Sequence, residues 1–156
     1  MILATHFIVG ASVASLTASP ELLVFTPLVS HFVLDSLPHW EYIDSLADLK
    51  KNKITVTLDL LIGPLLIFAF TYSNAIPNTK IAWILFGGLM GVLPDGIVFI
   101  EYFLFPKSIF LKKFESFHRF FHSEKKLKIG VGLPLQVLII FLAILIIIVA
   151  KTVEMR

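Results

Sequence analysis

Apolar residues along this chain fall into five long blocks separated by short polar breaks. The blocks cover about 2–17, 20–37, 54–72, 80–105 and 128–150. A helix needs about 20 mainly apolar residues to cross the hydrocarbon core of a bilayer, and each block is read as one such span. The link between the first two is so short that they must form an antiparallel hairpin. YSNAIPNT is the turn between the third and fourth. Between the fourth and fifth blocks, SIFLKKFESFHRFFHSEKK mixes aromatic and charged residues at roughly helical spacing. That pattern predicts an amphipathic helix lying in the interface over about 108–126. The expected fold is all-α: a polytopic integral membrane helical bundle with five transmembrane helices and one interfacial helix, built as a single domain over 1–156.

Composition agrees with this pattern. Hydrophobic residues make up 57% of the chain, charged residues 15%, and mean hydropathy is +0.90. Soluble domains carry roughly 25% charged residues. There is no cysteine, which excludes disulfides, thiolate ligands and cysteine nucleophiles. The formal charge of +2 gives no reason to expect a nucleic-acid partner. The first block lacks a basic leader and carries His6 in its core, so it is read as a retained helix rather than a cleaved signal.

The distribution of charge says more than its sum. With five spans, the N-terminus, the 39–53 loop and the 106–127 loop share one side. Lys50, Lys51, Lys53, Lys107, Lys112, Lys113, Arg119, Lys125, Lys126 and Lys128 lie there, against Lys80, Lys151 and Arg156 on the other. The basic side is expected to be cytoplasmic, which places the N-terminus inside.

Ionisable residues inside the spans cluster towards that same side. They are His6, His31 and Asp35, Asp59, and Asp95, joined by His118 and His122 from the interfacial segment. Ionisable groups at membrane depth are costly and usually face the bundle with a task to perform. Residues four apart share a helix face. His6, Gly10 and Ala14 share one, as do Pro27, His31 and Asp35, Asp59 and Gly63, and Gly87, Gly91 and Asp95. Small residues on these faces let backbones approach closely and would bring the polar ends into one layer. Pro38 in LPHW and Pro94 in LPDG are read as helix breaks beside a polar pocket.

Asp35 and Asp95 sit within apolar runs that contain no lysine or arginine to pair with them. A buried aspartate needs a partner, a proton or a metal. His31 and Asp35 lie one turn apart, and HRFFH supplies His118 and His122 at the same offset. All candidate donors are nitrogen or oxygen, which suits a divalent ion. His31, Asp35, Asp95, His118 and His122 are the leading metal ligands. His6 and His39 are further ligands or orienting partners. Zinc is the leading ion, with manganese and iron as alternatives, in one or two copies. A carboxylate outside the ligand set, Asp59 or Glu41, is the candidate general base. Two other readings use the same residues: a divalent-metal or proton transporter with a polar relay, and a non-catalytic membrane scaffold.

The chain also resembles a family of small bacterial membrane-bound metal-dependent hydrolases. Thr5-His6 matches its early Thr-His, Leu93-Pro94-Asp95 its Leu-Pro-Asp, and HRFFHS its late histidine pair ending in His-Ser. SHFVLDSLPHW is more distantly similar to the His-x-x-x-Asp metal helix of zinc-dependent phospholipase C. The resemblance implies metal-dependent hydrolysis. With the site at lipid depth, it implies an amphiphilic substrate, such as a phospholipid or another phosphoester, at the cytoplasmic leaflet. Membrane lipids and an anionic or amphiphilic substrate are then the expected partners.

Overall fold

The computed structural model of the chain describes residues 1–43, 48, 51–73, 75–76 and 80–154. Much of the 39–53 loop with Lys50, part of the YSNAIPNT turn, and Arg156 lie outside the described residues. Among the described residues six helices carry the structure: α1 (Leu3–Ser15), α2 (Pro20–Ser36), α3 (Lys53–Tyr72), α4 (Ile81–Leu104), α5 (Ile109–Phe121) and α6 (Ile129–Glu154). Among the described residues there is no strand, only an isolated bridge between His39 and Lys126. The all-helical expectation holds, and the element boundaries fall close to those read from the apolar blocks.

The expectation of membrane spans is met in part. Three helices, α3, α4 and α6, are long and apolar enough to cross a membrane. α1 has 13 residues and α2 has 17. At 1.5 Å per residue these reach about 20 and 26 Å, short of a hydrocarbon core of about 30 Å. Among the described residues, α3, α4 and α6 are of full spanning length and α1 and α2 form a shorter hairpin.

α1 is the centre of the bundle, packed against α2, α3, α4 and α6. Its sequence is apolar or small all round, the signature of a helix buried on every side. Gly10 of α1 meets α4 so closely that an added Cβ would lie 2.6 Å from Gly87 O. At Gly91 it would lie 2.5 Å from His6 O. Phe7 fills the notch left by Gly63 of α3 and Gly88 of α4. Small residues thus set the helix spacing, as expected of packing in a lipid medium that offers little hydrophobic drive. Phe7, Ile8, Ala11, Ile67, Ile84, Val92, Ala143, Ile144 and Ile147 form the apolar core around this contact.

A buried helix must find partners for its end groups. Asp59 on α3 accepts hydrogen bonds from Leu3 N (2.7 Å) and Ala4 N (3.0 Å). Gln136 on α6 accepts from Ile2 N at 2.9 Å. At the other end, Trp83 Nε1 on α4 donates to Ala14 O (3.0 Å) and Thr17 Oγ1 (3.2 Å).

α2 starts on a Ser19 cap with Pro20 in the first turn. It ends at Ser36 because Leu37 precedes Pro38 and turns extended. LPHW is therefore a helix end, as expected. LPDG is not: α4 runs unbroken through Pro94 and Asp95.

Candidate metal centre

The end of α2, the middle of α4 and the last turn of α5 meet in one polar cluster. His31 and Asp35 come from α2, Asp95 from α4 and His118 from α5. One donor atom from each lies within 4.8 Å of the others. His31 Nε2 is 2.9 Å from His118 Nε2, 3.2 Å from Asp35 Oδ2 and 3.9 Å from Asp95 Oδ1. His118 Nε2 is 3.3 Å from Asp35 Oδ2 and 3.4 Å from Asp95 Oδ1. Nitrogen and oxygen ligands at about 2.0–2.1 Å from a tetrahedral zinc ion stand roughly 3.3 Å apart. The observed spacings scatter around that edge length.

The histidine tautomers point the same way. His31 Nδ1 lies 2.8 Å from Gly91 O, and a carbonyl only accepts, so Nδ1 carries the hydrogen. In the neutral ring Nε2 is then bare and faces the carboxylates. His39 repeats the arrangement, with Nδ1 donating to Leu37 O at 2.8 Å. Backbone partners of this kind fix the ring orientation of metal-ligating histidines.

Polar atoms also lie buried without hydrogen bonds: both ring nitrogens of His6, Asp35 Oδ2 and Thr5 Oγ1. Buried polar atoms are nearly always satisfied, so this concentration calls for a ligand or an ion. His6 is wholly buried with Nε2 3.1 Å from Asp35 Oδ1, the carboxylate oxygen that His31 and His118 leave free, and its ring lies 4.2 Å from that of His31. A second donor group joins Asp35 to His39 and His122. The Met1 nitrogen sits beside it, 2.9 Å from His39 Nε2 and 3.4 Å from Asp35 Oδ1. Asp35 is thus central to both groups. Its side chain is 1% exposed, whereas that of Asp95 is 28% exposed and forms the open side. The donor set fits a divalent ion of borderline character, with no thiolate to favour a softer one.

A backbone clasp holds the histidine-bearing segments together. Ser123 N, after α5, donates to Asp35 O at 2.7 Å, and Leu127 N donates to His39 O at 2.9 Å. Glu41 closes the rim, with Oε1 2.7 Å from Lys126 Nζ and Oε2 3.6 Å from His122 Nε2. Burial opposes the charge on Glu41, but His39 and Lys126 beside it outweigh that and hold its carboxyl down at about 2. Burial pushes the His122 imidazole below its ordinary value, so the ring is neutral near pH 7.

Every expected ligand comes into or beside the cluster. The two expected general bases fit that role poorly. Glu41 is a weak proton acceptor at so low a pKa. Asp59 lies outside the cluster and is spent on capping α1. Beside Leu3 N and Ala4 N it accepts from Tyr42 Oη at 2.9 Å. Burial first, and Asp59 second, raise the Tyr42 hydroxyl well above its usual range and keep it a donor.

Sequence reasoning passed over Gln136, which is fully buried and donates from Nε2 to Trp40 O at 2.8 Å. A lone amide in an otherwise apolar block was its signal.

No protein-family model, curated protein or solved structure matches the chain.

Proposed function

We propose that the chain is a membrane-embedded, metal-dependent hydrolase that acts on an amphiphilic phosphoester at the cytoplasmic leaflet of a bacterial inner membrane. The observation that carries this reading is the convergence of His31, Asp35, Asp95 and His118 at ligand-to-ligand spacing, in a layer where Asp35 meets histidines and the Met1 nitrogen rather than a lysine or arginine among the described residues. The excess of lysine on the side of the chain that holds the cluster supports a cytoplasmic orientation.

His31 and His118 would supply ring nitrogens to the ion, and Asp35 and Asp95 the compensating charge. A bound zinc, manganese or iron ion would contribute Lewis acidity and acidify water near neutral pH. Gly91 O holds the His31 ring in register. Glu41 stays ionised and, with Lys126, keeps the His39 and His122 segments together. Asp95, the partly exposed donor, marks the side from which substrate enters, and Lys125 and Lys126 lie on the segment that attracts an anionic head group.

The test is metal content by plasma mass spectrometry on detergent-purified chain, made without chelators, beside Asp35→Ala/Asp95→Ala. Near-stoichiometric zinc, manganese or iron that disappears in the double variant supports the reading and directs screening to phosphoester lipids. No ion in either sample sinks it, and leaves the layer as a proton relay or a structural network.

A further inference from the structure

α5 is joined to the rest of the chain in an unusual way. Among its residues only His118 is buried. Phe110 is 77% and Phe120 81% exposed, and Ile109 and Phe117 are also uncovered. Phe117 and Phe121 touch the protein through the Phe32 ring, with centroids 5.6 and 5.3 Å away. On the helical wheel the aromatic residues fill one arc and Lys112, Glu115 and Arg119 the other, with His118 at one border and Lys113 set among the aromatic residues beside Phe120. From Lys107 to Lys128 the sequence carries seven basic and two acidic side chains.

An uncovered aromatic arc bordered by lysines fits one surface: the boundary between acyl chains and anionic head groups. It continues a lipid-facing band, because Leu104 and Phe105 before α5 and Ile129 after it are exposed as well.

The geometry points to α5 as a lipid-docked arm that sets the position of His118, so that anionic lipid in the leaflet completes the metal centre. This rests on the metal-centre reading above and adds its regulation. The clasp and the Phe32 contact hold the arm at its C-terminal end, where His118 Nε2 makes three of the short donor spacings. Lipid under Phe110 and Phe120, and head groups against Lys112 and Lys113, supply the missing support. Orienting groups outside a ligand set commonly change metal affinity by about 10–100-fold.

The experiment uses the full chain in nanodiscs of phosphatidylcholine alone or with one third phosphatidylglycerol. Zinc affinity is measured by competition with a chromogenic chelator, with empty discs subtracted. Docking is read separately from Phe120→Trp fluorescence quenched by brominated lipid. Expected results are stronger quenching and about tenfold tighter zinc binding in the anionic discs. Both gains vanish in Lys112→Gln/Lys113→Gln, and Phe110→Ser/Phe120→Ser weakens zinc binding in either lipid. Equal quenching in the two lipids overturns the inference. So does lipid-dependent quenching with unchanged zinc affinity, which would make α5 an anchor without influence on the site. Absence of zinc from every disc is a different result: it removes the metal-centre reading and this inference with it.

Discussion

His31 Nδ1 donates to Gly91 O across 2.8 Å, so a backbone carbonyl of α4 decides which nitrogen of an α2 histidine is free to bind. The same glycine is where α4 presses on α1, with a hypothetical Cβ only 2.5 Å from His6 O. One residue therefore sets both helix spacing and ring orientation.

Gly91→Ala should disturb both. The obstruction is backbone, which cannot swing aside as a flexible side chain would. Overpacking of this kind costs about 1–3 kcal/mol. Unfolding in mixed detergent should show that loss, and zinc affinity should fall at least severalfold. A variant as stable and as tightly binding as the parent would mean that the α1–α4 contact is not the one described.

Asp59→Ala should destabilise the chain by about 2–4 kcal/mol, because three buried donors lose a charged acceptor. Asp59→Asn should recover part of this, since its amide oxygen still accepts. Metal content should survive in the asparagine variant. If Asp59→Asn is stable but loses the ion, the carboxylate belongs to the centre rather than to the α1 cap.

Acid should loosen the rim in a defined window. The Glu41 carboxyl is depressed from 4.5 to about 2 in the folded chain. Its contribution to stability is therefore complete above about pH 4.5 and is lost as pH falls towards 2. Hydrogen exchange at the Leu127 amide, bonded to His39 O, should speed up through that interval. Glu41→Gln should show fast exchange throughout and little pH dependence. An unchanged profile in Glu41→Gln would exclude the carboxylate as the clasp.

Removing the ion should cost stability. A ligand that binds only the folded state at 100 times its Kd adds about 2.7 kcal/mol. Chelation of metal-loaded protein should lower the unfolding midpoint, while Asp35→Ala/Asp95→Ala should be indifferent to chelator. An equal response in both proteins would place the chelator's effect elsewhere.

Much of this arrangement could be read from the chain itself. The apolar blocks marked the helices almost to the residue, because a bilayer demands long uninterrupted runs. The i, i+4 sets at Gly10–Ala14 and Gly87–Gly91 gave the packing faces for the same reason. His31 with Asp35 and His118 with His122 stood out because ionisable groups are rare at such depth. What failed to show were relations between distant elements. Asp59 looks like a free carboxylate until α1 is seen to end against it. Gln136 looks incidental until Ile2 is placed beside it. Pro94 suggested a break, yet α4 passes straight through, since neighbouring helices hold the turn in place.

α1 precedes in the chain all four helices that enclose it. As the protein is made, this segment emerges before anything that can satisfy its ends. Trp83, Asp59 and Gln136 arrive later, the last of them separated from its partner Ile2 by 134 positions. Contacts of such long range form slowly. α1 is thus made before the four helices that satisfy it, and its contacts are complete only once α6 is in place. The ligand layer at its start, with His6 buried against Asp35, cannot exist before that moment. An ion held by these residues would therefore load late, and its arrival would mark off finished copies of this protein from unfinished ones.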